Sequence, residues 1–199
     1  MLDKDEKEYA LTKYKQFQIA QNGDIVKLTR DFKKWKMREQ ISSWLEVGCG
    51  CKIDLFASAL QPFKINVRGL DNNEYYKDLV RYSDKLDIGN CLELPYNDNQ
   101  YDIVSSHDVL EHLDHTNIKK AFSEMLRCSG KYVSINPTTH TLEESIIFNP
   151  PSPNDPGGDD PTHKFIAHRN WWINFILENF HVSILNDLKV HDQILFRKL

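Results

Sequence analysis

Two acids and two glycines define the first chemistry open to this sequence. Leu45-Glu46-Val47-Gly48-Cys49-Gly50-Cys51 is a short apolar run that ends in a glycine turn. Gly48 and Gly50 let the backbone turn sharply and approach a ligand closely. A helix follows, and its start presents free N–H groups. In a dinucleotide enzyme that end would hold a pyrophosphate. Here the third glycine of that pattern is replaced by Lys52. Glu46 adds a carboxylate, which repels phosphate and suits a cationic amino group. Taken alone, a two-glycine turn is as well explained by a structural tight turn. Asp71 lies 21 residues beyond Gly50, at the end of the next strand-like run. A carboxylate there can accept both hydroxyls of an adenosine ribose. Its competing role is a helix N-cap. The two elements at this spacing argue for a nucleoside ligand more strongly than either one.

A second group of reactive residues comes later. Asp159-Asp160-Pro161-Thr162-His163 precedes Arg169-Asn170-Trp171-Trp172. His163 suits a general base for an acceptor hydroxyl, because imidazole titrates near neutral pH. Asp159, Asp160 and His163 could also hold a divalent metal, but two Asp and one His in a loop are only suggestive. No metal ligands are assigned from the sequence. Asp160 and His163 could equally pin the loop by hydrogen bonds. Trp171 and Trp172 are adjacent on a helix and point to different sides. Trp172, with His140 and Asp160, is expected on the acceptor side. His112 is read as a structural group.

Strands alternating with helices must position these residues. Trp44–Val47, Ile65–Leu70, Leu86–Ile88, Tyr101–Ser105 and Tyr132–Ile135 read as buried strands. Ile53–Leu60, Glu74–Tyr82 and Val109–Leu126, with a break near Asp114, read as the helices between them. This alternation implies right-handed βαβ units and a parallel sheet. Residues 138–161 hold Pro150, Pro151, Pro153, Pro156, Gly157, Gly158 and Pro161. No helix survives that density, so a long functional loop is expected. A helix at about Arg169–Asn179 and a hairpin of Val182–Leu185 with Gln193–Arg197 close the chain.

The block from Gly89 to Arg127 carries a family resemblance. Gly89-Asn90-Cys91-Leu92-Glu93-Leu94-Pro95-Tyr96 is followed by Tyr101-Asp102-Ile103-Val104-Ser105-Ser106-His107-Asp108-Val109-Leu110-Glu111-His112-Leu113, then Lys120-Ala121-Phe122-Ser123-Glu124-Met125-Leu126-Arg127. This stretch resembles the class I methyltransferases, especially their small-molecule, type 11-like branch. The resemblance covers about Trp44 to Ile135. It implies an α/β, Rossmann-like three-layer sandwich with a mostly parallel seven-stranded sheet and an antiparallel C-terminal hairpin strand. It implies S-adenosylmethionine as cofactor and S-adenosylhomocysteine as product. By that resemblance Glu46, Gly48, Cys49 and Gly50 line the methionine part of the cofactor. Asp71 holds the ribose, with Asn72 beside the adenine. Asn90 meets the adenine amino group, and Cys91 lies next to the ring. Ser106 and His107 border the sulfonium and the acceptor. The sequence departs from the family at Lys52, at Asn90, where Asp is usual, and at Cys128-Ser129-Gly130, where Pro-Gly-Gly is usual. Some members acting on sugars and glycan precursors are similar around Asp159–His163, so a small-molecule hydroxyl acceptor is expected.

Size and charge fit one domain over 1–199: a helical cap over 1–42, a cofactor half over 43–136, and an acceptor loop, helix and hairpin over 137–199. The chain has 199 residues and a net charge of −4, which does not favour a large nucleic-acid footprint. One basic stretch, Lys27 to Arg38, holds six basic residues and one acidic, a local net of +5. It leaves a nucleic-acid or protein methyltransferase as one alternative, and a non-catalytic cofactor-binding fold as another. Cys49, Cys51, Cys91 and Cys128 are too few and scattered for a disulfide framework. No apolar run approaches a membrane span, and the charged N-terminus has no signal core, so a cytoplasmic location is expected.

Overall fold

The computed structural model describes residues 6–15, 40–140, 146–148, 160, 162–185 and 193–199. The basic stretch of 27–38 lies outside these residues.

The central sheet has seven strands. They are β1 (Ser43–Val47), β2 (Asn66–Asp71), β3 (Leu86–Ile88), β4 (Tyr101–His107), β5 (Ser129–Asn136), β9 (Val182–Ile184) and β10 (Ile194–Lys198), with β6 to β8 set apart. Their order is β3-β2-β1-β4-β5-β10-β9. β1 to β5 pair in parallel, and β10 runs antiparallel to both β5 and β9. This is the mostly parallel sheet with a terminal antiparallel hairpin that the sequence predicts.

Both faces of the sheet are covered, which is why its strands read as apolar runs. Successive β1 residues serve opposite faces. Trp44, its ring 5.7 Å from that of Phe56, belongs to one core cluster with Leu60 of α2 (Ile53–Leu60) and Ala10 of α1, a helix over residues 6–15. Leu45 belongs to the opposite core cluster, with Phe122 of α4 (His115–Cys128) and Trp172 of α5 (Arg169–Asn179). The chain winds from β1 outward to β3, then returns to β4 on the other side of β1. Ligands bind at such switch points, off the carboxyl ends of the strands.

Two predicted helices are shorter than their patterns suggest. Of Glu74–Tyr82, only α3 (Tyr76–Leu79) is helical. Val80 is extended, because the Asp54 carboxylate accepts the backbone N–H groups of Arg81 and Tyr82, each at 3.0 Å. Those bonds compete with the helical ones. Of Val109–Leu126, Leu110–His112 forms a 3-10 turn, and α4 begins after Asp114, at the expected break.

The expected loop contains strand structure. β6 (Thr139–His140) pairs in parallel with β8 (Phe165–His168), and β7 (Ile146–Phe148) pairs antiparallel with β8. This small sheet approaches the Leu110–His112 turn, where the Lys164 N–H donates to the Glu111 carbonyl at 2.8 Å.

At the amino end of the sheet, Asp102 ties β4 to β1. Its carboxylate accepts the Ser42 amide and hydroxyl, each at 2.7 Å, and pairs with Lys131 at 2.9 Å. Burial pushes this acid up, but Ser42 and Lys131 outweigh it and hold its pKa down to about 2. An acid with a depressed folded pKa stabilises the fold above its unfolded pKa, and that stability is lost as pH falls through the folded value. Asp102→Asn is therefore expected to cost up to about 2 kcal/mol at pH 7 and much less near pH 2. Urea titrations of both proteins at the two pH values measure this. An equal cost at both would refute the electrostatic account.

Candidate active site

The carboxyl ends of β1, β2 and β4 meet in the switch-point crevice. Gly48 and Gly50 hold φ of +69° and +46°, a left-handed region that favours glycine. A Cβ on Gly48 would sit 2.3 Å from Cγ2 of Val109. The amides of Gly48 and Cys49 both donate to the Leu70 carbonyl, at 2.7 and 3.0 Å. Gly69 allows this turn to close over β2, since a Cβ there would meet the Cys49 sulfur at 2.5 Å.

Asp71 is buried beside this turn. One carboxylate oxygen accepts the Gly50 amide at 2.7 Å, and the other accepts the Asn73 amide at 2.9 Å. Burial raises its pKa, opposed by amide bonds from Asn73, Gly50 and Asn72. Its two oxygens offer about four acceptor sites, and these three amides leave room for a further donor.

Glu46 is 0% exposed. The Ser105 hydroxyl donates to one of its oxygens, and His107 Nδ1 lies 2.7 Å from the other. A carboxylate only accepts, so Nδ1 carries the proton. His107 Nε2 then accepts from the Gln193 amide at 2.5 Å. With both ring nitrogens engaged, His107 borders the crevice as a fixed wall. The hydroxyl of Ser106 is buried and has no partner among the described residues.

Lys52 spans the crevice. Its Nζ meets the Asp108 carboxylate at 2.5 Å and the His107 carbonyl at 3.1 Å. Burial lowers its pKa, but Asp108 outweighs that and raises it. Where the family pattern has a glycine, this chain ties its first loop to the end of β4. Asn90 and Cys91 follow β3, and the Gly89 amide donates to the Asp71 carbonyl at 2.9 Å. The sequence-predicted residues Glu46, Gly48, Cys49, Gly50, Asp71, Asn72, Asn90, Cys91, Ser106 and His107 thus lie along one edge of four neighbouring strands.

The acceptor-side residues divide differently. Asp160 accepts the Thr162 amide and hydroxyl with one oxygen and pairs with Lys13 of α1 at 3.1 Å with the other. Burial raises its pKa, but Thr162 and Lys13 pull it well below the usual range. Asp160 therefore pins the chain ahead of β8 to α1. Trp172 corrects the expectation placed on it. Its side chain is 0% exposed and packs in the core with Phe122 and Phe196. Trp171 is the half-buried one, stacked on Phe175 with ring centroids 4.9 Å apart. His140 stands opposite His168 in the β6–β8 register.

His163 is 6% exposed and packs on His112 with ring centroids 4.7 Å apart. Glu111 completes the group: one ligand-capable atom from each of Glu111, His112 and His163 lies within 4.8 Å of the others. Sequence reasoning treats His112 as structural and passes over Glu111. The available signal is the adjacent Glu-His pair just past β4.

The comparisons with known proteins agree with this fold. Residues 45–131 match the family described as "Methyltransferase domain". The chain is similar to the uncharacterized protein MJ0638 of Methanocaldococcus jannaschii, 26% identical over 114 residues. That match covers 57% of this chain and spans half of the relative's length (50%). A S-adenosylmethionine-dependent methyltransferase from Clostridium acetobutylicum superposes with a TM-score of 0.65 at 11% identity, covering 94% of this chain and 97% of that one. The [4+2]-cyclase SpnF superposes at 0.62 with 14% identity, covering 85% and 80%. The matched segment runs from β1 into β5 and so holds the ends of β1, β2 and β4 that form the crevice, and the strand order gives the chain the Rossmann-like fold of these neighbours. Among the described residues, no helix is long and apolar enough to cross a membrane.

Proposed function

We propose that the protein methylates a hydroxyl of a small-molecule acceptor, of the sugar or glycan-precursor kind. The carrying observation is the position of the Glu111–His112–His163 group. It follows β4 directly and sits against the end of β5, where the Thr138 amide donates to Glu111 Oε1 at 2.7 Å. That is next to the cofactor edge.

The residues of the crevice fit the cofactor. The Asp71 carboxylate has room left for a ribose hydroxyl. Asn72, Asn90 and Cys91 would border the adenine. Gly48, Cys49 and Gly50 offer a close backbone approach, and Glu46 a buried negative charge for an amino group. The unpartnered Ser106 hydroxyl and the fixed His107 ring would face the reacting centre.

S-adenosylmethionine supplies a methyl group on a sulfonium, which becomes the neutral thioether of S-adenosylhomocysteine when an acceptor oxygen takes the carbon. The chain's own work is to align that oxygen and exclude water. The hydroxyl must also lose its proton, and the Glu111–His112–His163 group would promote that loss.

The test is S-adenosylhomocysteine production, followed by mass spectrometry with nucleotide sugars, free polyols, RNA and protein extracts. Turnover with a hydroxylated small molecule is expected. Turnover on RNA or protein alone would overturn the acceptor assignment. Cofactor binding without turnover on any of them would favour the non-catalytic reading.

A further inference from the structure

We infer that Glu111, His112 and His163 form a binding site for a divalent transition-metal ion. The donor set is two imidazoles and one carboxylate, gathered within 4.8 Å. Two features of the surroundings point to a ligand.

The first is Glu111 itself. It is 0% exposed, and its Oε1 accepts the Thr138 amide. Its Oε2 is buried with no partner among the described residues. A buried carboxylate oxygen without a donor is costly. A bound cation removes that cost.

The second is the orientation of His112. The Thr162 hydroxyl donates to Asp160 Oδ1, so its oxygen accepts from His112 Nδ1 at 2.9 Å. Nδ1 then carries the proton, which leaves the Nε2 lone pair for a metal. Histidine ligands are fixed in this way by a partner on the other ring nitrogen. The relay runs from His112 through Thr162 to Asp160, and Asp160 is itself anchored to Lys13.

Two nitrogens and one oxygen select ions of the manganese-to-zinc series over magnesium or calcium, which prefer all-oxygen sites. Three protein ligands leave positions open. Resting on the hydroxyl-methylation reading, those positions would take the acceptor oxygen and a neighbouring hydroxyl of the same molecule. The ion would lower the pKa of the bound hydroxyl, whose proton then leaves to water. His163 acts as a ligand in this arrangement and not as the base.

The test uses full-length protein stripped with chelator and titrated with Mn²⁺ and Co²⁺ by calorimetry. One saturable equivalent is expected, and Glu111→Gln and His163→Ala should each weaken it at least tenfold. Because either variant could unfold, the wild type carries a second readout. Paramagnetic Mn²⁺ should broaden the ring-proton NMR signals of two histidines at sub-stoichiometric addition. No saturable binding by the wild type at millimolar ion, or histidine signals left sharp, would overturn the site. A parallel titration with S-adenosylmethionine separates the two readings. Cofactor binding without metal binding sinks only the metal site; metal binding without cofactor binding sinks the methyltransferase reading and leaves the site standing.

Discussion

Asp71→Ala is expected to weaken S-adenosylmethionine binding by roughly a hundredfold, about 2.7 kcal/mol. The carboxylate is assigned to the ribose, and hydrogen bonds to a charged group are worth about 1.5–3 kcal/mol each. The same oxygens hold the Gly50 and Asn73 amides. Their loss frees the glycine turn on which the methionine end of the cofactor would rest. Asp71→Asn keeps one oxygen and loses the charge, so a smaller loss of about tenfold is expected. Burial raises the pKa of Asp71. The charged form is the acceptor, so wild-type affinity should fall with acid at a higher pH than an ordinary aspartate would give, and Asp71→Asn should remove that dependence. Calorimetry with S-adenosylmethionine and S-adenosylhomocysteine measures all three effects. A change below threefold for Asp71→Ala would mean that the ribose is held elsewhere.

The crevice proposed for the cofactor is legible in the sequence because its signals are local. Glu46, Gly48 and Gly50 sit within five residues, and Asp71 ends the next strand. Parallel strands buried on both faces show as apolar runs, which is how β1, β2, β4 and β5 stand out. The acceptor side is non-local. Glu111 and His112 meet His163 across a small sheet whose strands β6 and β7 have two and three residues. Runs that short carry no periodicity. The choice between Trp171 and Trp172 failed for a related reason. Adjacent helical positions differ by about a quarter-turn, and the packing of Phe122 and Phe196 decides which one is core. Helix α3 stops where a distant acid, Asp54, captures two amides, and no window around Val80 contains that information.

Phe122→Ala tests the layer that supports the acceptor side, with an expected loss of about 3–5 kcal/mol. Phe122 is 0% exposed in the middle of α4. Its ring centroid lies 4.8 Å from that of Phe180 and 5.7 Å from that of Phe196, the latter edge-on. Each aromatic pair adds about 0.5–1.5 kcal/mol to the burial itself. Phe196 is a strand residue and Phe180 follows α5, so the surrounding groups cannot collapse easily into the space left behind. A typical domain has only about 5–15 kcal/mol to lose. The urea midpoint should therefore drop sharply with the slope unchanged. Trp171→Ala, at a half-buried position, should cost clearly less. Helix α4 starts three residues after His112, so loosening it should also weaken any ion held by the Glu111–His112–His163 group while sparing the Asp71 end of the crevice. A loss below about 1 kcal/mol for Phe122→Ala would mean that α4 is not packed on the sheet as described.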